Sequence, residues 1–135
     1  MTKQFKTAQE ACDYSVKQIV AQGGQCYDVV NTTSTCMHGD GQGNHCAIGW
    51  FLDPDNKKLM NYVQGVRDVV EDFPDDVPEV IKDNIDLFSG LQVFHDHPDS
   101  IIREMCRDML RDNYKIDTSG DHWQQWVDMG ERSND

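Results

Sequence analysis

Between Thr7 and Gly24 the apolar positions return every three or four residues. Ala8, Ala11, Cys12, Val16, Ile19 and Val20 fall on one face of a helix, with Ser15 as the small polar member of the set. Thr7 and Glu10 have the spacing of a capping box, which places the helix start, and Gly23-Gly24 supplies the residue that ends it. The pattern then shortens. Cys26-Tyr27-Asp28-Val29-Val30 and Thr35-Cys36-Met37-His38 read as short strands with a turn or loop from Asn31 between them. Gly39 to Gly43 is a glycine-rich turn, and Asn44 to Ile48 either returns as a third strand or opens a short helix. Over so few residues the period does not choose between them.

Asp53-Pro54 has the form of an N-cap followed by proline at the first helical position, predicting a helix from Pro54 to about Gln64 that buries Leu59, Met60 and Val63. Val66 to about Asp72 reads as a further short helix, and Phe73 to Pro78 as a turn region. Pro78 to Phe88 reads as helical, burying Val80, Ile81, Ile85, Leu87 and Phe88. Ser89-Gly90 interrupts or kinks it before Leu91 to His95 continues, and Pro98 stops it. Asp99 caps a helix to about Tyr114 with the apolar stripe Ile101, Ile102, Met105, Cys106, Met109 and Leu110. Arg103, Arg107 and Arg111, beside Glu104, Asp108 and Asp112, are expected on its solvated face as helix ion pairs. A last helix, His122 to Met129, should dock Trp123 and Trp126 on the core, and the tail frays from about Glu131. The expected fold is α+β: a mostly helical single domain over residues 1–135, with about five helices and a small two- or three-stranded antiparallel sheet near residues 26–50.

Composition narrows the class. A chain of 135 residues suits one domain with a modest core. The mean hydropathy of -0.67 is polar, but three Trp, five Phe and four Tyr can anchor a core, so disorder is a poor description. No apolar run approaches the roughly 20 residues of a membrane span. Met1 to Lys6 lacks the apolar segment of a signal peptide, and the expected location is cytoplasmic.

The net charge of -12 is unevenly spread: ten acids between Asp68 and Ile102 face a single base, Lys82, which leaves that segment at −9. Binding a phosphate backbone needs Lys and Arg, so direct nucleic-acid binding is disfavoured. An acidic surface attracts a basic one, including the nucleic-acid groove of another protein. The candidate partner-binding residues are Asp68, Glu71, Asp72, Asp75, Asp76, Glu79, Asp83 and Asp86, with a solubilising surface as the competing reading.

Five cysteines in a reducing compartment read as free thiols, with Cys12 and Cys106 as small hydrophobes on helix faces. Cys46 admits more. At a helix start it would be a nucleophile, with His95 as base and Asp96 to orient the ring, giving a cysteine hydrolase or amidase. The competing reading is a small residue packed beneath a hairpin. No metal is favoured; zinc held by Cys26, Cys36, His38 and Cys46 is the alternative. His45 and Cys46 would point to opposite faces of a strand and could not share one ion. Cys36 and Cys46 could also pair across a hairpin under oxidising conditions. The glycines at 39–43 are no P-loop, since no Gly-Lys-Ser/Thr follows and no Lys or Arg lies between Gln18 and Asn56. His95-Asp96 matches the HD hydrolases only as a dipeptide.

Three motifs agree in order with a known pattern. Cys36 to Leu52, with Cys46-Ala47-Ile48-Gly49 and the following Asp53-Pro54-Asp55, then Gln64-Gly65-Val66, then Leu91-Gln92-Val93-Phe94-His95-Asp96, resemble a group of small phage and prophage proteins. His38 stands where that group usually has an aromatic, and Gln64 replaces its Glu. The resemblance implies a phage or prophage origin, a host-cell cytoplasmic location and a small, mostly helical α+β fold; it implies no activity. The expected function is that of a small acidic phage-type accessory protein. It would bind a basic host protein surface, for instance blocking a nucleic-acid groove as anti-restriction or anti-CRISPR inhibitors do. A homodimer through aromatics of the last helix is a further expectation.

Overall fold

A computed structural model describes residues 5–23, 45–53, 55–60, 66–96 and 99–130. The first helix, α1 (Ala8–Gln22), forms as its capping box predicts. Thr7 Oγ1 accepts the Glu10 N–H at 3.1 Å, and Gly23, at φ 90°, turns the chain while donating its N–H to Ile19 and Val20. Its buried face carries Ala11, Cys12, Ser15, Val16 and Ile19.

No strand occurs among the described residues, and the α+β expectation is corrected to an all-helical fold for them. His45 to Ile48 lead into a 3-10 turn, Gly49–Phe51, where a third strand was one of the two expected outcomes. The stretch Cys46 to Leu52 is buried except for half-buried Trp50. It needs no ladder, because side chains of neighbouring helices satisfy part of its backbone. The expected strands at Cys26–Val30 and Thr35–His38, and the frayed tail, lie outside the described residues.

Asp53 opens the next segment through an Asx turn, Oδ1 accepting the Asp55 N–H at 2.9 Å, and α2 (Lys57–Met60) follows. The rest of the helix expected to about Gln64 lies outside the described residues, as do the side chains that it was to bury. Then come α3 (Val66–Asp72), a 3-10 turn at Pro74–Asp76, α4 (Glu79–Lys82) and α5 (Ile85–Asp96). The expected interruption at Ser89-Gly90 falls instead at Asp83-Asn84, where Asn84 Nδ2 donates to the Val80 carbonyl at 2.8 Å and its N–H reaches back only to Ile81. Gly90 lies inside α5, where a Cβ would stand 3.1 Å from Met109 Cε and 3.4 Å from Leu110 Cδ2. This glycine serves the close approach of α5 to α6 (Ser100–Tyr114), not a break.

Asp99 caps α6 as expected, its Oδ1 accepting the Ile101 N–H at 2.7 Å. The buried face of α6 is rotated from the expected one. Ile101 and Met105 are 52% and 61% exposed, while Arg103, expected on the solvated face, is 3% exposed. The reason is α7 (Asp121–Asp128), whose Trp126 offers the Arg103 guanidinium a ring face and a carbonyl. The two remaining arginines do make helix ion pairs, Arg107 with Glu104 at 3.6 Å and Arg111 with Asp108 at 3.3 Å. Trp123 and Trp126 are buried as predicted, so they are not available as exposed dimer contacts. The core forms where α1 packs on α7, α5 on α6 and α3, and α6 on α7. No helix of the described residues is long and apolar enough to cross a membrane.

Candidate functional site

The segment around Cys46 is a joint between helices. Ser15 Oγ donates to the Ala47 carbonyl at 2.8 Å, and Gln22 holds His45 from both sides, donating to its carbonyl at 2.8 Å and accepting its N–H at 2.9 Å. From α5, Gln92 Oε1 accepts the Ile48 N–H at 3.2 Å. Cys46-Ala47-Ile48-Gly49 and Leu91-Gln92 therefore meet, and their meeting satisfies buried backbone. Cys46 is buried, and its Sγ accepts the Gly49 N–H at 3.3 Å. It caps a single 3-10 turn and is not presented to solvent. Of the other expected zinc ligands, Cys26, Cys36 and His38 lie outside the described residues.

His95 sits one turn beyond Gln92 on α5 and is fully buried. Its ring stacks on Trp126 at 5.9 Å and 10°. The guanidinium carbon of Arg103 lies 3.6 Å from the Trp126 ring centre and Nη1 donates to the Trp126 carbonyl at 2.8 Å. Trp126 Nε1 in turn donates to the Phe94 carbonyl at 3.1 Å. This locks α5, α6 and α7 together. Asp96 closes α5, and its side chain is not among those described.

A second polar centre escaped the sequence reading. Asp13 Oδ1 lies 2.7 Å from His122 Nε2 and accepts the Trp123 indole N–H at 2.9 Å, while Oδ2 accepts from Gln9 at 3.0 Å. Partial burial pushes the Asp13 carboxyl up, but the hydrogen bonds from Gln9, His122 and Trp123, with the nearby imidazole, outweigh it and hold the carboxyl below the usual range. Gln9 also clamps Asp117, accepting its N–H at 2.6 Å and donating to its carbonyl at 2.8 Å. Gly120 makes room for the imidazole: a Cβ there would stand 2.5 Å from His122 Cε1. The only sequence signals were the Gln9–Asp13 spacing on α1 and the glycine two positions before the histidine.

The acidic residues occupy the outside of α3, α4 and the start of α5. Asp68, Glu71 and Asp72 are exposed on the face of α3 opposite buried Val66 and Val69, and Asp75 is exposed in the 3-10 turn that follows. Glu79, Asp83 and Asp86 are also exposed, and Asp76 is half-buried. Arg67 pairs with Asp86 at 3.1 Å and Lys82 with Glu79 at 3.2 Å. Eight carboxylates against these two cations leave residues 66–86 at −6. Comparison with protein-family models, curated proteins and solved structures finds no match for this chain.

Proposed function

We propose that this chain is a binding protein that presents the face of α3, α4 and the start of α5 to a basic surface on a partner protein. The observation that carries the reading is the set Asp68, Glu71 and Asp72, turned to solvent from a helix whose other side is anchored by Val66 and Val69, with Asp75 exposed in the turn that follows. Carboxylates clustered on one helix face add to one local field and raise the rate of encounter with a cationic surface. The resemblance to phage and prophage proteins supports a concrete form, an accessory protein that occupies the nucleic-acid groove of a host protein. Lys and Arg that would otherwise meet phosphates would meet these carboxylates.

The test is capture of partners from host cytosol by the wild-type chain and by a variant carrying Asp68→Asn, Glu71→Gln, Asp72→Asn and Asp75→Asn. A partner with a basic surface that is held by the wild type, released as salt rises and lost by the variant supports the reading. Capture that is indifferent to both salt and the four substitutions overturns it.

A further inference from the structure

We draw no further inference here: the strongest candidate, the apolar surface patch that Ile101 and Met105 form on the solvent side of α6, is left open by the fold, and nothing in the structure shows what covers it.

Discussion

Asp13 bonds three donors from two elements through one carboxylate. Asp13→Ala leaves the indole N–H of buried Trp123 without its acceptor, and we expect a loss of about 1–3 kcal/mol in urea unfolding at neutral pH. The pH dependence has a definite sign. Because the folded carboxyl titrates below its ordinary value of about 3.9, its stabilisation is complete above that value and is lost as pH falls through the folded one. The wild type should therefore lose stability more steeply than Asp13→Ala in the acid range, and equal acid limbs would show that the carboxylate is not the source. The thiols give a second check. Burial, with the charge of Asp13 beside it, pushes Cys12 up to about 12, whereas Cys106 is only half-buried and raised less. Iodoacetamide at neutral pH should modify Cys106 before Cys12 in the native chain. The sequence revealed the local device at Thr7, since a capping box spans four residues. It concealed the Asp13–His122 contact, which joins positions 109 apart and leaves no local period.

At the scale of elements, period and cap were informative in α1, and period in α7. They misled on α6, because a stripe of apolar residues competes there with a buried cation: Trp126 draws in Arg103 and leaves Ile101 and Met105 outside. The short run from Cys46 to Leu52 could not declare its structure, since what satisfies its backbone comes from α1 and α5. That joint is testable. Gln92→Ala removes the acceptor of the buried Ile48 N–H and should cost about 1–3 kcal/mol in thermal or urea unfolding. Gly90 tests the neighbouring helix contact. Alanine gains about 1 kcal/mol of helix propensity, and its Cβ would meet Met109 Cε, the flexible end of a side chain, at 3.1 Å. We expect Gly90→Ala to be neutral or mildly stabilising. Gly90→Val, with two further carbons pushed toward Leu110, should destabilise by about 1–3 kcal/mol. A large loss with alanine would show that α6 cannot yield.

At the scale of the molecule, the acidity on which the proposed binding rests works against the free chain. A net charge of -12 on 135 residues repels itself, and residues 66–86 carry −6 of it. The ion pairs that could offset it, such as Arg67–Asp86 and Arg111–Asp112, involve well-exposed side chains and contribute little. Salt should therefore have opposite effects on stability and on the proposed binding. Added salt shortens the screening distance to about 10 Å at 0.1 M, which weakens repulsion between the carboxylates of α3 and those of α4 and α5. The melting temperature of the free protein should rise with salt and then level off, whereas its hold on a basic partner should fall over the same range. The variant with Asp68, Glu71, Asp72 and Asp75 neutralised should begin with a higher melting temperature at low salt and respond less to salt. A melting temperature that falls as salt is added would mean that attractive pairs dominate the surface, and the acidic face would then be a balanced, solvated one with no charge to offer a partner.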